Sequence, residues 1–461
     1  MTKTSQIKDF TKGNITKQLF IFALPLFLSN LLQVVYNMVD MVVVGKTMGD
    51  IGLSAVSVGG DISAFMTFIA MGFANAGQVI ISQYIGAKRK NEISKFISTM
   101  FVFLMICAIV ISCFSYIFRE TLLDWMNAPA EAYEEALAYS TVCVFGLVFI
   151  YGYNIISAVL RGMGDSKHPF IFISIAAILN LILDVVFVIV LQMGAMGAAL
   201  ATVISQAISF ISCAVFLIKK RADFELDFHL QDFLRIDKEK LLDLVRLGTP
   251  MAIKLASVQF SKLFVNSYIN SYGVEVSGFA GVANKIGSVS NLISAALNTA
   301  GSGMVGQNIA AKEFGRVKQI IRRLFAITLT IAVLLSAAVM LYPEAIFSIF
   351  IKKGDEALML IAMEFIPIAI LLFFGSACRA AMNALINGSG NYRINFVTAI
   401  LDGIVLRIGL ALFFGVVQGF GYLGFWLGDA LAGFTPFLIG MVFYFTGLWK
   451  KGNPSKGKSK I

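Results

Sequence analysis

Apolar runs of twenty or more residues recur along the whole of this 461-residue chain, and no other feature limits its fold as tightly. A soluble globule carries one or two such runs in its core. A chain built mainly of them has a bilayer for solvent. The charge content agrees: 14% of residues are charged and mean hydropathy is +0.82, where a soluble protein carries about 25% charge.

Read by length, the runs give twelve helical spans: roughly 18–43, 53–81, 96–118, 137–160, 169–191, 195–218, 246–270, 277–302, 321–342, 358–385, 394–415 and 423–447. The expected fold is therefore an all-α integral membrane protein with twelve transmembrane helices. They form two six-helix bundles related by a pseudo-two-fold axis along the membrane normal. The bundles are 1–218 and 246–461, the second ending in a basic tail, and 219–245 is a charged cytoplasmic linker. The first run is too long for a signal h-region and no small-residue cleavage site follows it, so every span is expected to be kept.

The net charge of +10 would suit a nucleic-acid partner, but its placement does not. With the N-terminus in the cytoplasm, all but nine of the 37 Lys and Arg fall in cytoplasmic loops and tails. Lys46, Arg119, Lys352 and Lys353 lie on the other side. Lys254, Lys262, Lys285, Arg379 and Arg407 lie within spans. The positive-inside rule then puts both termini in the cytoplasm of a multi-pass cell-membrane protein and leaves no nucleic-acid partner. Cys107, Cys113, Cys143, Cys213 and Cys378 sit inside apolar runs without a CxxC pair and read as reduced, buried small hydrophobes. His168 and His229 have no metal-ligand spacing around them. No nucleophile–base pair or phosphate loop appears, so an enzyme is not expected.

The two halves repeat at an offset of about 225 residues. Pro25 is matched by Pro250, SQYIGAKRKNEISK by GQNIAAKEFGRVKQ, AVLRGMGDSK by ALINGSGNYR, and MGAMG by FGYLG. Paired bundles of this kind are a transporter architecture.

Against that symmetry stands one asymmetric constellation. In the first span Gln33, Tyr36, Asn37 and Asp40 are spaced i, i+3, i+4 and i+7, a polar stripe on one helix face. Asn180 and Asp184 share a face of span five, and Thr202 opens another stripe with Ser205, Gln206 and Ser209 on span six. An intramembrane carboxylate costs roughly 2.5–3.5 kcal/mol on insertion scales and marks a functional site by default. Two carboxylates, an amide oxygen and a hydroxyl suit a hard cation such as Na⁺. The same acid pair, poorly hydrated, suits H⁺ equally well. The second half lacks this pair: the offset carries Asp40 onto Val265 and Asp184 onto Gly409 or Leu410. It holds instead the five basic residues named above, with Glu364, Asp402 and Asp429, and Asp61 corresponds to Lys285. These groups read either as inter-helix ion pairs or snorkelling helix ends, or, if several face the cavity, as a preference for anionic or zwitterionic groups. Pro25 removes a backbone bond and can kink the first span. TLLDWMNAP and EAIFSIFIKKGDEAL read as short interfacial helices at equivalent external positions.

LPLFLSNLLQVVYNMVD, SQYIGAKR, LRGMGDSKHP, NLILD and the six-plus-six repeat together resemble the multidrug and toxin extrusion (MATE) family, prokaryotic type, over roughly residues 15–450. The resemblance implies two bundles facing a cavity that opens to one side of the membrane, and export of small organic compounds driven by inward Na⁺ or H⁺. It carries the cation-site role onto Asp40, Asn180, Asp184 and Thr202, and a helix-bending role onto Pro25. Gln33, Tyr36, Asn37 and Asn154 become cavity-lining or supporting positions. It implies a cation-coupled antiporter that works as a monomer in the bilayer, with no cofactor beyond the coupling ion. The alternative class is a flippase for a lipid-linked or anionic amphiphilic substrate, which the intramembrane Lys and Arg would suit.

Overall fold

A computed structural model describes residues 6–228, 230–233, 235–351 and 355–451. His229, Lys352, Lys353 and the basic tail beyond 451 lie outside the described residues. Every regular element among them is helical. The first six helices are α1 Ile15–Gly86, α2 Ile93–Ile117, α3 Arg119–Trp125, α4 Tyr133–Gly162, α5 Lys167–Asp184 and α6 Gly194–Lys219. The remainder are α7 Lys238–Asn270, α8 Val274–Ala310, α9 Phe314–Leu341, α10 Pro343–Phe347, α11 Glu356–Gly388, α12 Tyr392–Ile400, α13 Leu406–Leu412, α14 Gly421–Ala432 and α15 Thr435–Phe445.

Nine helical stretches among the described residues are long and apolar enough to cross a bilayer. The 72-residue α1 holds two crossings, because its helix breaks at Gly49, whose φ of 63° lies in the left-handed region. Spans one and two, expected as separate helices with a loop, are thus joined by a single non-helical residue. Helices α7 and α8 are long enough to cross but fall short on apolarity, since Lys254, Lys262 and runs of Ser, Asn and Gly interrupt them. With these two the chain has the twelve crossings of its fold. Of the two stretches expected as short interfacial helices, TLLDWMNAP is helical in α3 through Trp125 and EAIFSIFIKKGDEAL in α10 through Phe347.

The repeat is written into the backbone. Residues with positive φ recur in pairs 224 to 227 positions apart: Gly49 and Gly273, Lys88 and Lys312, Gly164 and Gly390, Gln192 and Gly419, Gly194 and Gly421. The LRGMGDSK and INGSGNYR motifs are revealed as turn-and-cap devices. The Asp165 carboxylate accepts from the backbone N–H of Lys167 (3.0 Å) and His168 (3.2 Å) at the start of α5. The Asn391 side chain does the same for Arg393 (3.2 Å) and Ile394 (3.3 Å) at the start of α12. Each half also closes one helix with π-helical turns, Val185–Val190 after α5 and Phe413–Val417 after α13.

The chain divides into two compact units. The first is Leu24–Gly248 with the chain start through Asp9. The second is Thr249 onward with Phe10–Ala23. The chain passes from one unit to the other next to Pro25 in α1 and next to Pro250 in α7. A proline inside a helix leaves one carbonyl without its donor and weakens the ladder there. The carbonyl so freed is that of Ile21; one turn on, the Ser29 hydroxyl donates to the Pro25 carbonyl at 2.8 Å. In the first unit α4 packs on α6 and α2, and α5 on α6. The linker 219–245 is part of this unit and is held by Lys240, whose ammonium meets Glu92 and Asp237, each at 3.3 Å. In the second unit α11 is the central helix, packed on α8, α9, α14 and α15.

Candidate functional site

Three helices of the first unit bring the sequence constellation together. Asp40 comes from the first crossing of α1, Asn180 and Asp184 from the last turns of α5, and Thr202 from α6. Asp40, Asn180 and Asp184 are 4%, 2% and 0% exposed, so the acids have left both lipid and water. Thr202 is the central contact. Its hydroxyl donates to Asp40 Oδ2 at 3.2 Å, and Asn180 Nδ2 donates to Thr202 Oγ1 at 3.5 Å. The Asp40 and Asp184 carboxylates lie against each other.

Four oxygens at this point have no hydrogen-bond donor: Asp40 Oδ1, Asn180 Oδ1 and both oxygens of Asp184. A buried carboxylate without a donor costs several kcal/mol. Two in contact cannot both remain charged without a counter-ion or a proton between them. No basic side chain among the described residues stands with these groups. The donor set is all oxygen, which fits a hard cation or a proton and does not fit a soft metal.

The site opens on a cavity of about 450 Å³ within the first unit. Gln33, Tyr36, Asn37, Asp40, Asn154 and Thr202 all line it, so every sequence-assigned cavity residue stands on one wall system. Asn154 is fixed by donating to the Ile150 carbonyl at 2.8 Å, and Gln206 donates to the Tyr36 hydroxyl at 3.4 Å. Beyond Thr202 lies a void of about 10 Å³ bordered by Tyr36, Asn180, Ser205 and Gln206, room for about one water. Pro25 sits fifteen residues before Asp40 on the same helix and does not line the cavity.

The sequence reading missed part of this wall. Asp61, Ser63 and Thr67, on the second crossing, also line the cavity. Asp61 has no hydrogen-bond or ion-pair partner among the described residues. The signal was available in the i, i+2 and i+6 run of polar groups inside an apolar span, but a single acid near a helix end reads as snorkelling.

In the second unit the charged groups named from the sequence separate into two sets. Lys285 is exposed, 5.7 Å from the Phe350 ring centre, and Glu364 accepts from the Tyr422 hydroxyl at 2.8 Å. Lys254, Lys262, Arg379, Arg407, Asp402 and Asp429 instead gather in one group, Asp402 and Arg407 fully buried and the other four partly. Arg407, 2% exposed, bridges Asp402 at 2.9 Å and bonds Asp429.

With the geometry in place, comparison with known proteins adds the following. The MatE family model matches residues 25–186 and 250–413, one block in each half. The probable multidrug resistance protein YoeA of Bacillus subtilis is 27% identical over 445 residues, 96% of each chain. The probable multidrug resistance protein YpnP of the same organism is 32% identical over 309 residues, 67% of this chain and 68% of its own. Among solved structures, a MOP superfamily transporter from Pyrococcus furiosus, described by the reverse polarity of its binding pocket, superposes with a TM-score of 0.89. It is 22% identical and covers 97% of this chain and 98% of its own.

Proposed function

This chain belongs to the MatE family of multidrug efflux transporters, and from that premise we propose that it is a cation-coupled antiporter exporting organic compounds by alternating access. Inward movement of Na⁺ or H⁺ through Asp40, Asn180, Asp184 and Thr202 drives outward movement of substrate. The cell membrane is its location, with both termini in the cytoplasm, and a single chain suffices.

One observation carries this reading: two carboxylates in contact, buried, with four oxygens at the site that no protein group satisfies. A site left this incomplete is costly unless it is filled during the working cycle. Its position on the wall of the 450 Å³ cavity supports coupling, because filling it alters the charge that a substrate there meets. Coupling requires the cation and the substrate to differ in affinity between the two states of the cycle, and shared acids provide that difference. Asp61, unpartnered on the same wall, attracts cationic portions of the substrate. Pro25 lets the first crossing bend and so moves the face that carries Asp40.

The test is efflux from proteoliposomes under a Na⁺ gradient and a pH gradient imposed separately. At least one gradient is expected to drive substrate uphill. Transport that only follows the substrate's own gradient rejects coupling and favours a channel. The second reading, a flippase for a lipid-linked or anionic amphiphile, draws on the excess of buried basic groups in the second unit. Transbilayer movement of an anionic lipid without dye efflux would favour it.

A further inference from the structure

The buried charges of the second unit do not balance. By formal charge, Lys254, Lys262, Arg379 and Arg407 count four positive against two negative for Asp402 and Asp429. Arg407 bonds both carboxylates, reaching Asp402 from α13 and Asp429 on α14. That triad, with the guanidinium 2% exposed, reads as the structural part of the group, and of its buried oxygens it leaves only Asp402 Oδ2 without a hydrogen bond.

The other three cations are left with little. Lys254 reaches the Asn383 side-chain oxygen at 2.7 Å and stands 3.9 Å from Asp402. Arg379 donates to the Asn291 side-chain oxygen, a neutral acceptor, and has no carboxylate within ion-pair distance among the described residues. Lys262 has neither a hydrogen bond nor an ion pair among the described residues, though it lies in electrostatic range of Asp429, Arg407 and Arg379. Asparagine oxygens orient these donors but cancel no charge. Lys254, Lys262 and Arg379 are partly rather than fully buried, so their donors remain reachable.

An excess of two positive charges inside a membrane protein, with spare donors on two helices, needs an anion. A guanidinium beside two ammonium groups matches a carboxylate or phosphate, which accepts in the plane of the Arg fork and takes point charges at its flanks. We infer that Lys254, Lys262 and Arg379 form a receptor for the acidic group of an amphiphilic substrate, a carboxylate or a phosphate ester. This deepens the transporter reading and rests on it. It also narrows the substrate class to compounds that carry an acid, alone or beside a cationic centre.

The experiment is equilibrium dye binding to the full chain in detergent, with no ion gradient, so a failure of cation coupling does not enter. The probes are rhodamine 110, which has a free carboxylate, and rhodamine 123, its methyl ester. Wild type is expected to bind the acid at least about tenfold more tightly, the low end for a charge-assisted contact. Lys262→Gln and Arg379→Gln each remove about that tenfold while leaving ester binding unchanged, and Arg379→Lys restores part of it. Displacement of rhodamine 110 by phosphatidylglycerol but not by phosphatidylcholine assigns the receptor to a lipid head group. No displacement by either assigns it to a soluble organic acid. Acid binding no tighter than ester binding in wild type, absence of both included, overturns the inference. So does an equal loss of both dyes in the two Gln variants.

Discussion

The two units share a backbone and differ in their buried charge. Five pairs of positive-φ residues recur at 224 to 227 positions, and Asp165 and Asn391 cap equivalent helices. At the centre of the first unit, however, stand two carboxylates with no basic partner. At the centre of the second stand four cations against two carboxylates. Turns and caps stayed symmetric because chain direction depends on them. The charged positions were free to diverge, since each unit needs only its own cluster to be satisfied. In the proposed function, a cation fills the deficit of the first cluster and an anion that of the second.

Four perturbations break or sharpen this contrast. The largest effect is expected at Arg407. Arg407→Met leaves Asp402 and Asp429 buried without their partner, a loss of about 3–5 kcal/mol. It should appear as a sharp fall in the thermal unfolding temperature of purified protein. In the first unit the sign differs. Asp184→Asn removes a charge that no protein group compensates, so stability is retained or rises, while gradient-driven efflux falls to background. A protein destabilised by this change would mean that Asp184 holds the fold rather than an ion.

The caps provide the symmetric control. Asn391→Ala should cost about 1 kcal/mol and Asp165→Ala at least as much, because Asp165 also bonds the His168 ring, with efflux per folded molecule preserved in both. A smaller cost for Asp165→Ala would show that the shared backbone does not carry shared energetics.

The smallest effect concerns the linker. Burial raises the Glu92 carboxyl, but hydrogen bonds and charge from Arg89 and Lys240 outweigh it and hold it below the ordinary glutamate range. Burial likewise raises Asp237, and hydrogen bonds and charge from Lys240 bring it below its ordinary value. Depressed acids stabilise above their unfolded pKa of about 4 and lose that contribution as pH falls through the lower folded value. Protection of the linker from proteolysis should therefore be constant near neutral pH and weaken below about pH 4, by less than about 1 kcal/mol because the pair is partly exposed. Lys240→Gln should weaken the pH dependence without removing it, because Arg89 still holds Glu92 and the backbone donors still hold Asp237.

How much of this the sequence disclosed follows from what periodicity can encode. Spans, repeat and the face-sharing of Asn180 with Asp184 are local and were legible. The convergence of Asp40 with them was legible only because an acid in an apolar run is so costly. Three features escaped. Gly49 joins two crossings with one residue, and a glycine in a polar-looking gap reads as a loop. Span seven was read at 246–270, but the reason for its polarity was not, since Lys254 and Lys262 belong to a cluster whose other members lie 117 to 167 residues away. Arg407 and Lys262 look alike in sequence, yet one is saturated by two acids and the other has none. That difference is made by tertiary contacts.

The central claim is that Asp40 and Asp184 act as one site for one cation. Infrared difference spectroscopy of the purified chain, switched by pH or by Na⁺, reads their carboxyl bands directly. The account predicts that the same wild-type carboxyl transition disappears in Asp40→Asn and in Asp184→Asn. Loss of different transitions in the two variants, or of none, would contradict it.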